Sequence, residues 1–361
     1  MNGIGYELMI RALEDAEILD LFTPVVYGSE KAWTFYSNML GVKYPCNFIR
    51  DARDARDGQV NVISAVQVEA RVEMGKKSQE AETYSRQAME RALSDYGQGL
   101  FDVLVMAPSA NDDIDYIEGA LREKNGDSSE SASDKDTMLP LAIVSNGNLN
   151  FASVAGNVDF DKAKQYLSME DVVERTTSMR NVLRRDLREN NPRIAVMALN
   201  ETIQGDETSA EMSIIAPAMS TVVNSGVQAF GPYTEADLLE DFAYTHFDGV
   251  LGMYQKQCEE ISNKLFDNNG FVLYSGLELV VTSPLQGPSY EICGKGIADV
   301  TSFRSSVFAA IDVYRNRYCY DIPLANPLQK IYHERREDGE KVRFAVKKKD
   351  AEAKPGAGVE K

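Results

Sequence analysis

The chain has 361 residues, a formal net charge of −18 and 43% hydrophobic residues. That length and apolar content suffice for a large core and predict two lobes. The acidic balance excludes nucleic acid as a partner, because phosphate binding needs a basic face, and no run of about eighteen apolar residues is present to span a bilayer.

Apolar runs alternate with helix-period segments, the pattern of an α/β fold. In chain order the reading gives a helix over 5–21, strands over 24–27 and 60–65, a helix over 80–96, and strands over 101–107 and 139–144. A helix follows over 170–187, a strand over 193–199, a helix over 209–224, strands over 249–254 and 271–274, and a helix over 302–315. On the 80–96 helix, Tyr84, Ala88, Ala92 and Tyr96 share one stripe, which reads as core packing. Residues 124–137 (KNGDSSESASDKDT) are poor in apolar side chains and predict a surface loop, and 347–361 predict a disordered tail.

Residues 1–22 carry acidic side chains throughout, unlike a signal peptide. Cys46, Cys258, Cys293 and Cys319 show no paired spacing and read as reduced thiols of a cytoplasmic protein. Only two histidines are present, His246 and His333. A three-histidine metal centre cannot be assembled from them within one chain.

The stretch 282–299, TSPLQGPSYEICGKGIAD, is similar to the signature TSPDHGTAxDIAGKG of the 4-hydroxythreonine-4-phosphate dehydrogenase family, NAD- and metal-dependent enzymes of vitamin B6 synthesis. Thr282, Ser283, Pro284, Gly287, Ile292, Gly294, Lys295 and Gly296 match, while Leu285 and Gln286 stand at the Asp and His positions. The resemblance runs from Asn2 to about Arg335 through NGIGYE (2–7), NPRIAVMALN (191–200), FGPY (230–233), FDGVLGMY (247–254) and NPL (326–328). In the family a strand and a Gly-Asp pair precede the NGIGYE turn, so the start codon is expected to be assigned too late.

The resemblance implies an isocitrate/isopropylmalate dehydrogenase-like fold of two α/β/α lobes around a central cleft. The first lobe is expected to be discontinuous, 1–108 with 288–345; the second, 109–287, forms the dimer; 346–361 is the tail. It further implies a homodimer, a small molecule in the interlobe cleft, and NAD near Gly294, Lys295 and Gly296.

The family's working positions, carried over one at a time, are substituted. Its three metal-binding histidines correspond to Asn157, Thr202 and Gln255. Its substrate positions correspond to Asp113 and Ile114, at a His-Thr pair, and to Asn263, Val272 and Val281, at a Lys, an Asn and an Arg. Amides and a hydroxyl are poor ligands for a divalent ion, so no metal is expected. The family's oxidation of an alcohol needs that ion to polarise the oxygen, and valines offer no cation to a phosphate or carboxylate.

Some residues keep two readings. Gly3 and Gly5 suit a phosphate cradle or a tight turn. Lys264 is a neighbour of the lost substrate lysine or a plain surface lysine. Asp113, Glu201 and Asp206 suit a hard cation or are solvated carboxylates. Cys258 stands at a predicted helix start, where a thiol is activated, but its acidic and amide neighbours argue against activation. His246 reads as structural.

Three functions follow. The first is a catalytically lapsed relative acting as a binding or regulatory protein, with a cleft lined by Val272, Val281, Leu285, Gln255 and Gln286. The second is an oxidoreductase with an altered, less charged substrate and an acid/base drawn from Asp113, Glu201 or Lys256. The third is the authentic dehydrogenase.

Overall fold

The computed structural model describes residues 1–65, 72–108, 114–125, 140–203 and 208–325. The first half runs α1 (Gly5–Ala12), β1 (Val25–Gly28), α2 (Glu30–Leu40), β2 (Cys46–Ile49), β3 (Val60–Ser64), α3 (Gln79–Tyr96), β4 (Val103–Val105), α4 (Ile114–Asn125), β5 (Leu141–Ser145), β6 (Asn150–Ser153), α5 (Phe160–Tyr166) and α6 (Met169–Arg185). The second half runs β7 (Arg193–Met197), α7 (Ala216–Asn224), β8 (Gln228–Tyr233), α8 (Glu235–Leu239), β9 (Gly249–Gly252), α9 (Gln255–Leu265), β10 (Phe271–Ser275), β11 (Val280–Pro284) and α10 (Thr301–Ala325).

Local chemistry explains several boundaries. Ser29, Ser78 and Ser168 start α2, α3 and α6, each accepting a hydrogen bond from the backbone N–H three residues on. The helix expected over 5–21 breaks after Ala12, because Asp15 accepts from the Glu17 N–H and caps a separate 3-10 turn, Ala16–Asp20. The helix expected over 209–224 opens instead as a π-turn, Glu211–Ile215, before α7. Pro217 lies in the first turn of α7, where its missing N–H leaves no bond unmade.

The strands form two sheets. One is three-stranded and parallel, in the order β1-β3-β2; the other is eight-stranded and mixed, in the order β4-β11-β10-β5-β6-β9-β7-β8. β6, β9, β7 and β8 are mutually parallel, and β10 pairs antiparallel with both β5 and β11. The central parallel strands are buried on both faces, as covered parallel strands must be. Ile194, Val196 and Leu251 pack with Met179 and Leu183 of α6 and Ala218 and Val222 of α7. Ala195, Met197 and Val250 face the other way, onto Cys258 and Ile261 of α9. Farther along that second face, Leu93, Ile117, Leu121 and Val281 form a separate cluster with Met106 and Leu279.

The expected strands near 24–27, 60–65, 101–107, 139–144, 193–199, 249–254 and 271–274 are all present. β2, β6, β8 and β11 were not anticipated. β2 and β6 are only four residues long, and β8 contains a Gly-Pro pair that weakens any strand signal. Asp113, Asp206, His333, the NPL motif at 326–328, most of the 124–137 loop and the 347–361 tail lie outside the described residues. No helix among the described residues is long and apolar enough to cross a membrane.

Candidate functional site

The parallel trio β6, β9 and β7 ends on one side of the sheet, and the loops that follow carry Asn157, Gln255 and Thr202. This convergence is what parallel neighbours produce, and ligands bind at such carboxyl ends in open α/β sheets. The β6–β9 ladder continues past the strands: Val154 and Ala155 donate their N–H groups to Gly252 O and Met253 O at 2.9 and 3.0 Å, and Gln255 donates its N–H to Gly156 O at 2.9 Å. Asn157 and Thr202 are exposed and Gln255 is half-buried. Gln255 Nε2 donates to Glu259 Oε1 at 2.7 Å.

These donors do not suit a divalent ion. Two amides and a hydroxyl carry no charge, and Gln255 already spends its amide on Glu259. Among the described residues no group of three His, Cys, Asp or Glu side chains is placed to hold a metal. Glu201 and Lys256 are exposed beside the same rim. His246 is exposed and ends the turn before β9.

Two residues that the sequence reading passed over organise this rim. Gln257 Oε1 accepts from the Met253 N–H at 2.9 Å, and its Nε2 donates to Ala198 O at 2.7 Å. Glu211 is fully buried and accepts from the Asn200 N–H at 2.9 Å and from Asn200 Nδ2 at 3.0 and 3.1 Å. Burial pushes the Glu211 carboxyl up, but hydrogen bonds from Asn200 and from the Glu211 and Leu199 backbones outweigh it, and the net shift is downward. The available signals were an acidic residue inside an apolar helical pattern and a glutamine within the MYQKQC match. Cys258 is buried with its Sγ donating to Ala152 O at 3.2 Å, and burial pushes its thiol up to about 12. That agrees with reading it as inert. Its bulk also explains Gly252, where a Cβ would lie 2.5 Å from Cys258 Sγ.

The substrate-type positions are dispersed. Val281 is 0% exposed and packs among Leu93, Ile117, Leu121 and Leu279. It therefore lines no cleft, which corrects the expected lining: α4 packs on this face and makes the position core. Val272 is half-buried on β10, opposite Ser283 and Val144. Asn263 and Lys264 are exposed on α9, and Lys264 forms an ion pair with Glu235. Ile114 opens α4, with its side chain outside the described residues. The Leu285 N–H donates to Ser302 Oγ at 2.8 Å, and Gln286 Nε2 donates to Asp299 O at 2.9 Å. The Leu285 backbone and the Gln286 side chain thus tie the signature loop to the start of α10.

The 294–298 loop is clasped by α1. Buried Glu7 accepts from the Gly294 and Ala298 N–H groups at 3.3 and 3.1 Å, while Arg11, one turn on, donates to Gly296 O and Ala298 O at 2.9 and 3.3 Å. Gly294 and Gly296 have φ of 77° and 68°, so both are required by the turn itself. The Gly294 and Ala298 N–H groups are consumed internally and do not point at a phosphate. Exposed Lys295 lines a cavity of about 320 Å³ together with Arg11, Glu14, Met39, Leu40 and Val42. Gly3 and Gly5 also have steric duties: a Cβ at Gly3 would lie 2.5 Å from Pro288 O, and one at Gly5 3.2 Å from Ala107 Cβ.

Comparison with known proteins bears on the family and the fold. The family model described as pyridoxal phosphate biosynthetic protein PdxA matches residues 20–310. A 4-hydroxythreonine-4-phosphate dehydrogenase from Bacteroides thetaiotaomicron is 32% identical over 354 residues, covering 95% of this chain and 94% of that protein. A second, from Sulfurihydrogenibium, is 24% identical over 318 residues, covering 88% and 96%. Among solved structures, a putative 4-hydroxythreonine-4-phosphate dehydrogenase from Salmonella typhimurium superposes with a TM-score of 0.66 at 22% identity, covering 86% of this chain and 96% of that one. The matched span, the near full-length relative and the shared α/β architecture place the chain in the PdxA family.

Proposed function

We propose that this chain is a PdxA-family protein that no longer carries out metal-assisted dehydrogenation and acts as a binding or regulatory protein. One observation carries the reading: the loops after three adjacent parallel strands bring Asn157, Thr202 and Gln255 to the rim where the family resemblance places metal-binding histidines. Neutral side chains there can hydrogen-bond a ligand but cannot stabilise a developing alkoxide as a metal does.

NAD is the ligand to test first. Lys295 and Arg11 would supply positive charge toward its phosphates, and Met39, Leu40 and Val42 an apolar wall. When bound, NAD supplies a hydride acceptor; what this chain contributes is the clasped loop that fixes Lys295. The reading includes a homodimer in a cytoplasmic setting, in keeping with four free thiols. It also includes the two lobes divided at about 108 and 288, with β4 and β11 pairing across that division.

A second reading is an oxidoreductase with an altered substrate and no three-histidine metal site. The 32% identity to a named dehydrogenase over nearly the full length favours it, and Glu201 and Lys256 are the described acid/base candidates at the rim. The authentic dehydrogenase reading is tested by complementation of a strain lacking that enzyme, where no rescue is expected. Calorimetry of the purified protein with NAD, with and without Mg²⁺ or Zn²⁺, tests the main proposal. Micromolar binding that is indifferent to metal supports it. Binding that appears only with metal overturns it, and no heat at millimolar NAD rules out both dehydrogenase readings and leaves a protein partner as the ligand.

A further inference from the structure

The three strand-end loops are joined by hydrogen bonds, and one side chain joins two of them. Gln257 lies in the first turn of α9, immediately after β9. Its Oε1 takes the Met253 N–H at the end of β9, and its Nε2 reaches Ala198 O at the end of β7. Only one orientation of the amide satisfies both partners, because a backbone N–H needs an acceptor and a carbonyl needs a donor. Met253 is also tied to the third loop, through the Ala155 N–H donating to Met253 O. The chain of contacts therefore runs from the β6 loop through Met253 and Gln257 to the β7 loop.

The β7 loop is secured a second time from the opposite side. Buried Glu211, at the head of the π-turn, takes both the backbone N–H and the side-chain Nδ2 of Asn200. Ala198 and Asn200 are thus anchored from α9 and from the π-turn, and Thr202 follows two residues later. Neighbouring buried groups leave little slack: Gly252 has no room for a Cβ against Cys258 Sγ, and the same Cβ would lie 3.2 Å from Gln257 Oε1.

We infer that Gln257 is the positioning residue of this rim, locking the loops that carry Asn157, Thr202 and Gln255 into one arrangement without a metal ion. The inference rests on the metal-free reading above. It predicts a rim that is preformed in the protein as purified, so that a ligand meets fixed amide and hydroxyl groups.

The test uses site-resolved amide hydrogen exchange and thermal melts on the full chain. The wild type should melt at the same temperature with EDTA, Mg²⁺ or Zn²⁺. Gln257→Leu should speed exchange of the Met253 amide and of amides in 198–202 by about tenfold or more, while α6 and the middle of β7 remain protected. Gln257→Glu separates the two arms of the clamp. Its carboxylate still accepts from Met253 but cannot donate to Ala198, so 198–202 should loosen and Met253 should stay protected. Equal loosening everywhere, or no change in either loop, overturns the clamp and leaves the metal-free reading standing. A rise in wild-type melting temperature on adding metal overturns the metal-free reading, and the clamp inference with it. If Gln257→Leu fails to fold, Gln257→Glu alone decides the matter.

Discussion

The rim above β6, β9 and β7 and the 294–298 loop make opposite use of their side chains. Both match a family signature in their framework. At the rim the side chains are the neutral Asn157, Thr202 and Gln255, and the cross-ties run through Gln257 and Glu211. In the loop, Lys295 remains, and the backbone around it is gripped by Glu7 and Arg11. The comparison teaches that cross-ties which satisfy buried backbone groups do not depend on the exposed side chains beside them. Removing a metal ligand leaves solvent-facing space, whereas removing a tie leaves a buried N–H or C=O unpaired, at about 1–3 kcal/mol each.

The largest effect should come from placing a cation at the substrate-type position Val281. Val281→Arg should not open a cleft. It should place a charge in the cluster with Leu93 and Ile117 and cost about 4 kcal/mol or more, read as a collapse of the urea midpoint. A stable Val281→Arg protein that gains affinity for inorganic phosphate would show that this face does open.

Next come the two carboxylates. Glu7→Ala and Glu211→Ala should each destabilise by about 2–3 kcal/mol in urea unfolding, one through the loop and one through the rim. The pH dependence sharpens the contrast at Glu211. Its folded value lies below the ordinary carboxylate value of 4.5, so its stabilisation is full above that value and fades as pH falls through the folded one. The stability gap between wild type and Glu211→Gln should therefore narrow on acidification below about pH 4.5. A gap that widens in acid would mean that the carboxyl is protonated in the native state.

The smallest effect belongs to Lys295→Ala. Truncating this exposed side chain should leave the melting temperature unchanged and weaken any NAD binding by several-fold, with a shallower salt dependence. A large stability loss would mean that Lys295 is a structural residue and not a ligand contact.

Legibility from sequence followed the physics of each feature. The α/β alternation was readable because β7 and β9 are buried on both faces and their apolar runs are uninterrupted. β6, with the sequence NFAS, was not: four residues with a polar start carry too little pattern, and only its place between β5 and β9 makes it a strand. The motif positions Asn157, Thr202 and Gln255 were found one by one, but their convergence needed three strands to be adjacent and parallel. Val281 was misjudged as cleft-lining, since a β-branched residue in a strand looks the same under a helix as beside a ligand.

The amino-acid sequence alone determined the α/β class, the kinship carried by the 282–299 signature, and the scarcity of imidazole that precludes a three-histidine site in one chain. Those are properties of composition, periodicity and short-range order. The tertiary structure decided which side chains act: that Glu7 and Arg11 close the glycine loop 285 or more residues away, that Gln257 ties β9 to a loop 59 residues earlier, and that Glu211 is buried against Asn200. Each of these depends on a backbone N–H or C=O finding its partner across the fold, and local sequence carries no record of that distance.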